Sequence, residues 1–110
     1  MKVPNKNIRK TIIEMINNSG AAHSGSALSL VEILNTVFKN VDLEKIKNND
    51  NDRDRVILSK GHGTAALYAV MYHHGLLDKS LIDTYFKNNT ILAGHTSHHV
   101  PCVEHSTGGL

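Results

Sequence analysis

Cysteine is almost missing from this chain. One residue, Cys102, among 110 excludes an internal disulfide and fits a reducing compartment. Long apolar runs are missing too: no window approaches the roughly eighteen apolar residues that a membrane-spanning helix needs. The basic start, MKVPNKNIRK, is not followed by the apolar core of a leader segment, so a soluble, cytoplasmic protein is the expectation. Nor does one sign of charge dominate. Twelve Lys and Arg stand against ten Asp and Glu, a net charge of +2, and the basic residues are dispersed, which gives nucleic-acid binding no footing. Internal repeats are absent, and the sole biased tract is the Asn/Asp cluster within Asn40 to Asp54.

What is present is the composition of a globular protein, 40% hydrophobic and 20% charged, at a length that suits one small domain. Eight histidines make the net charge sensitive to mild acid, because imidazole titrates near pH 6.5. Cys102 carries no assigned role, since a reactive thiol needs a cationic setting.

The stretch that organises the chain is Arg53 to Gly63, RDRVILSKGHG. Val56, Ile57 and Leu58 are apolar, mostly β-branched and bounded by turn formers, which predicts a short buried strand. The apolar run from Ala65 predicts a helix to about His74, with Gly75 as its stop. Where a parallel strand turns into a helix, a glycine on each side of a histidine lets backbone N–H groups approach a phosphate. His62 would then project from the carboxyl end of the strand into the ligand crevice. The alternative is a tight turn with His62 on the surface.

Apolar residues at Ile8, Ile12, Met15 and Ile16, widened by Ile13, predict an amphipathic helix from Lys6 to Asn18 that stops at Gly20. Gly20 to Ala27, small residues around His23, predicts a loop. Ser29 and Glu32 have capping-box spacing before an apolar face of Leu30, Ile33, Leu34, Val37 and Phe38, which predicts a helix to Lys39. Asn40 to Asp54 reads as a solvated connection anchored by Leu43 and Ile46, with room for one helical turn. His73 and His74 fall in the last turn of their helix and read as caps or surface residues. Ser80 and Asp83 repeat the capping spacing before Tyr85 and Phe86, and from Gly94 to Leu110 no apolar period remains. Within that last segment His95, His98, His99, Cys102 and His105 contain enough imidazole and thiolate for a small zinc module, although their spacing fits no standard pattern.

Three blocks pair a histidine with small residues: GAAHSGSALS at 20–29, RDRVILSKGHGTAALYAV at 53–70, and AGH at 93–95 with VEHSTGGL at 103–110. In this order they resemble the N-terminal segment of transketolases, which use thiamine diphosphate, and the resemblance covers about His23 to Leu110. It implies an α/β fold, the N-terminal part of a parallel sheet flanked by helices, with residues 1–110 as an incomplete thiamine-diphosphate-binding domain. By matched position His23 and His95 resemble histidines of the substrate channel with catalytic roles. His62 resembles the histidine near the cofactor's diphosphate, and Gly108 and Leu110 fall where backbone atoms contact the aminopyrimidine. The implied reaction moves a two-carbon ketol unit from a ketose to an aldose, usually as sugar phosphates. The cofactor acts as electron sink and the protein supplies orientation and proton transfer.

Two positions depart from the family pattern: Ser24 stands where proline usually follows the first histidine, and Gly109 where many members have proline. The metal motif, Gly-Asp-Gly with a downstream pair of asparagines, would fall beyond Leu110. The resemblance thus implies Mg²⁺ or Ca²⁺ held by ligands outside this chain. It also implies that these residues are inactive alone and complete their site with remaining transketolase domains or a complementing subunit, in a homodimer or heterotetramer. A non-catalytic subunit of a split transketolase stands beside the zinc module as an alternative.

Overall fold

The computed structural model describes residues 3–20, 24–85 and 102–104. Their centre is a short helix that buries every side. Thr64–His73, here α5, has Thr64 through Met71 all buried, with Ala66, Tyr68, Ala69 and Val70 fully enclosed. A helix apolar all round has no solvent face and must be surrounded. Three alanines, Ala65, Ala66 and Ala69, let neighbouring backbones come close, while Leu67, Tyr68, Val70 and Met71 fill the space between.

The neighbours are amphipathic. α1, Asn5–Ser19, turns Ile8, Ile12 and Met15 toward α5 and leaves Ile13 55% exposed, so the stripe is narrower than the sequence suggests. It ends as expected: Gly20 adopts φ 71° and donates its N–H to the Ile16 carbonyl, a left-handed stop that glycine takes without strain. Ser24–Leu28 forms α2, a short helix where a loop is predicted, and it packs on both α1 and α5. Ala27, wholly buried, shows why small residues serve there.

α3, Val31–Lys39, starts where expected but without its capping box. Ser29 Oγ donates to the Ser26 carbonyl instead, and Glu32 pairs across to Arg9 of α1, whose guanidinium holds the carboxyl below its usual range. The buried face is Val31, Leu34, Asn35 and Phe38, rotated from the predicted one, which leaves Ile33 62% exposed. α4, Leu43–Lys47, is the expected single turn, capped by Asp42 and anchored by buried Ile46. α6, Lys79–Ile82, begins one residue before Ser80, which therefore lies inside the helix and not at its cap.

The predicted α/β fold is overturned. Among the described residues the chain is helical and contains neither strand nor sheet; Lys60 carries an isolated bridge and nothing longer. Residues 53–59 hold no regular structure, and Ile57, the centre of the predicted strand, is 59% exposed. A buried parallel strand needs ladder partners for its N–H and C=O groups and layers on both faces. No described segment supplies either. Val56 and Leu58 instead lie against the edge of the helical core, half-buried.

The lower end of α5 also departs from expectation. His74 is 6% exposed, not a surface cap. Its Nε2 lies 2.9 Å from Asn35 Oδ1, while Asn35 Nδ2 donates to the Val3 carbonyl at 2.8 Å and to Asn5 Oδ1 at 2.7 Å. The Val3 carbonyl can only accept, which fixes the orientation of the amide, so His74 Nε2 carries the proton and donates. Leaving such a buried group without its partner costs about 1–3 kcal/mol, which explains an asparagine only 1% exposed in an apolar face. His73 Nε2 lies 2.7 Å from Thr11 Oγ1 of α1. Gly75, at φ 82°, then closes the helix, with Leu76 N–H bonding back to the Met71 carbonyl.

Burial lowers the proton affinity of both imidazoles, helped at His74 by the positive charge of Lys39 and opposed at His73 by a hydrogen bond with the Asn7 backbone. The unfolded chain therefore binds more protons than the folded one once pH falls below the ordinary histidine value of about 6.5. Stability is full above that value and declines as pH drops through the lowered folded values. Urea unfolding monitored by circular dichroism should show the midpoint falling between about pH 7 and pH 5, and His74→Gln should flatten the slope. A midpoint that rises on acidification would contradict this.

Candidate functional site

Between residues 53–59 and α5 the backbone winds into a 3₁₀ turn, Gly61–Gly63, with His62 half-buried at its middle. Gly63 N–H donates to the Lys60 carbonyl and Thr64 N–H to the Gly61 carbonyl, while the Thr64 hydroxyl donates to that same Gly61 oxygen. The turn is thereby fixed to the first turn of α5. His62 is presented at the positive end of the helix dipole, where an anion is favoured.

The turn is packed from one side by α2. A Cβ on Gly63 would stand 2.1 Å from Leu30 Cδ1 and 3.7 Å from the Ser26 carbonyl oxygen, so a side chain there would have to displace the tip of Leu30, while the backbone angle itself admits one. Lys60 reaches over the same junction: its Nζ lies 3.2 Å from Ser29 Oγ and 3.5 Å from the Ser26 carbonyl. The first two histidine-bearing blocks of the sequence thus meet in space through Ser26, Ser29, Leu30, Lys60 and Gly63. Sequence reasoning passed over Lys60, although it sits inside the Ser-Lys-Gly-His string and a cation two residues from His62 was a readable signal.

The third block is attached by its beginning. Val103 packs against the core, and Glu104 accepts a two-point ion pair from Arg53, Nε to Oε2 at 2.6 Å and Nη2 to Oε1 at 2.9 Å. His23, His95, Gly108 and Leu110 lie outside the described residues, as do His98, His99 and His105 of the zinc reading. Cys102 is described, in a left-handed backbone conformation at φ 65°. Burial, reinforced by Glu104, pushes its thiol up.

Among the described residues no three His, Cys, Asp or Glu side chains come together in a way that could hold a metal ion. The turn carries His62 at the N-terminus of α5, an end of a helix that favours anions, and Lys60, whose ammonium reaches over Ser26 and Ser29, precedes it by two residues. These residues fit one end of a diphosphate. A separate cleft of about 380 Å³ opens among α1, the end of α5 and α6, lined by Lys10, Thr11, His73 and Lys79, and among the described residues His62 does not border it. No helix among the described residues is long and apolar enough to cross a membrane.

The sequence model of the family described as "Transketolase, thiamine diphosphate binding domain" matches residues 2–110. The chain belongs to this transketolase family. Relatives include one of the subunits of the apulose-4-phosphate transketolase of Phocaeicola vulgatus, 32% identical over 105 residues that make up 93% of this chain and 37% of the relative. Another is the 6-deoxy-6-sulfo-D-fructose transketolase subunit SqwG of a Clostridium species, 37% identical over 89 residues, 80% of this chain and 32% of that protein. The transketolase of Aquifex aeolicus is 35% identical over 107 residues, 94% of this chain and 15% of its own length. The chain thus spans about a third of the length of the subunit relatives and far less of the undivided transketolase.

Close packing at the junction is directly testable. Gly63→Ala should cost up to about 1 kcal/mol, since the tip of the half-buried Leu30 side chain must swing aside. Combining it with Leu30→Ala, which opens the space, should cost at least about 0.5 kcal/mol less than the sum of the two single changes. Additive losses in denaturant unfolding would show that Gly63 and Leu30 do not meet.

Proposed function

We propose that residues 1–110 form the N-terminal portion of the thiamine-diphosphate-binding domain of a transketolase-type transferase, which moves a two-carbon ketol unit from a ketose to an aldose. Membership of the family, together with a half-buried histidine and a lysine gathered at the N-terminus of α5, supports this reading. Sugars or sugar phosphates are the substrates, and the cytoplasm is the compartment.

Within this assignment His62 holds the diphosphate end of the cofactor, with Lys60 close enough to add positive charge. Gly108 and Leu110 offer backbone atoms to the aminopyrimidine. His23 and His95 line the substrate channel, where neutral imidazole hydrogen-bonds sugar hydroxyls and carries protons near neutral pH. Thiamine diphosphate, when bound, supplies the electron sink that allows the carbon–carbon bond beside the carbonyl to break. A divalent cation, Mg²⁺ or Ca²⁺, accompanies the diphosphate on ligands outside residues 1–110.

The relatives named as subunits favour a specific form of the assembly, in which this polypeptide works with a complementing subunit, as a heterotetramer in place of a homodimer. Co-purification with a second thiamine-dependent chain would support that form.

In the assembled enzyme His62→Ala should raise the Kd for thiamine diphosphate about tenfold or more, the loss of roughly one charge-assisted hydrogen bond. His95→Ala should lower kcat with cofactor affinity unchanged. Parent-like values for both variants, measured by cofactor titration and steady-state kinetics, would remove the site assignment.

A further inference from the structure

Arg53 and Glu104 stand 51 positions apart, yet their side chains are each only 14% exposed and meet at two points. A guanidinium fork on both oxygens of one carboxylate restricts angle as well as distance, which a single-point lysine contact cannot do. Both partners are themselves held. Arg53 Nη1 donates to the Asp50 carbonyl at 2.8 Å, and its backbone N–H donates to that same oxygen at 3.1 Å. On the other side Cys102 and Val103 pack on the core, and the Cys102 thiol lies 4.0 Å from the Ile46 carbonyl. The surrounding charge keeps the pair ionised: Arg53 first and Arg55 in addition hold the Glu104 carboxyl below its usual range, and Glu104 with Asp50 raises the guanidinium further.

The pair joins two segments that matter for the cofactor. Arg53 opens the stretch that leads without regular structure to His62, and Glu104 precedes Gly108 by four residues, which span at most about 14 Å of chain. Residues 53–59 lie in no ladder; both they and residues 102–104 rest on the core through Val56, Leu58, Cys102 and Val103, and the ion pair adds a directional tie between them.

We propose that the Arg53–Glu104 pair is a positioning clamp for thiamine diphosphate, fixing the point from which the backbone departs toward Gly108 relative to the segment that carries His62. The clamp touches neither substrate nor cofactor. It rests on the assignment of His62 and Gly108 to the cofactor.

The test uses the assembled enzyme and thiamine diphosphate with Mg²⁺ as the probe. Glu104→Gln keeps size and loses charge, and it should raise the cofactor Kd about tenfold, while kcat and the sugar KM return to parent values once cofactor saturates. Arg53→Lys keeps charge and loses the fork, and it should fall between parent and Glu104→Gln. Should Glu104→Gln prove insoluble, Arg53→Lys alone decides the matter. An unchanged Kd in the soluble variants, or a kcat that stays depressed at saturating cofactor, overturns the clamp. His62→Ala serves as the reference: if it weakens cofactor binding and the clamp variants do not, the clamp alone is wrong. If His62→Ala has no effect either, the cofactor assignment beneath it is wrong.

Discussion

α1, α2, α3, α6 and the 3₁₀ turn all pack on the buried α5. Eight consecutive residues from Thr64 to Met71 are buried, so no turn of that stretch can face water, and the chain must wrap it with α1, α2, α3 and α6. Burying apolar surface stabilises by about 25 cal/mol per Å², and the small side chains of Ala65, Ala66 and Ala69 set how near the wrapping helices can come. The surrounding helices need only one apolar stripe each. Ile13 and Ile33, on the far sides of α1 and α3, remain exposed for that reason.

The two ends of α5 are built differently because they do different things. At the C-terminal end, polar groups are taken into the core and fully matched: His74 with Asn35, Asn35 with Val3 and Asn5, His73 with Thr11. That end fixes α1 and α3 against α5 by directional bonds. At the N-terminal end the backbone of the 3₁₀ turn and the Thr64 hydroxyl make the bonds, and Lys60 and His62 stand at the rim of the core, exposed and half-buried. A helix N-terminus favours an anion, which is why the diphosphate of the cofactor is proposed to lie at this end.

Much of the helical framework was legible in the sequence, because helix periodicity and glycine stops act locally. Gly20 and Gly75 ended their helices as glycines in the left-handed region do, and Asn5–Ser19 and Thr64–His73 appeared close to their predicted bounds. The misses came where long-range partners decide. Ser29 and Glu32 had capping spacing, but Arg9 and the Ser26 carbonyl offered them other bonds. His73 and His74 looked like surface caps until Thr11 and Asn35 turned out to face them. The Val56–Leu58 strand failed because three β-branched or apolar residues state a preference, whereas a strand requires a partner. Of the predicted site residues, His62 falls at the helix start where its motif put it, and His23, His95, Gly108 and Leu110 lie outside the described residues.

Family membership came from the sequence and not from the fold: the family model matches residues 2–110 although Val56 to Leu58 form no strand here. The central claim is that the turn at Gly61–Gly63 meets the cofactor. Amide hydrogen exchange on the assembled enzyme, with and without saturating thiamine diphosphate and Mg²⁺, tests it most directly. Slower exchange across Gly61 to Ala65, with the amides of Asn5–Ser19 unaffected, is the predicted result. Unchanged exchange at Gly61 to Ala65 while the cofactor is bound would contradict it.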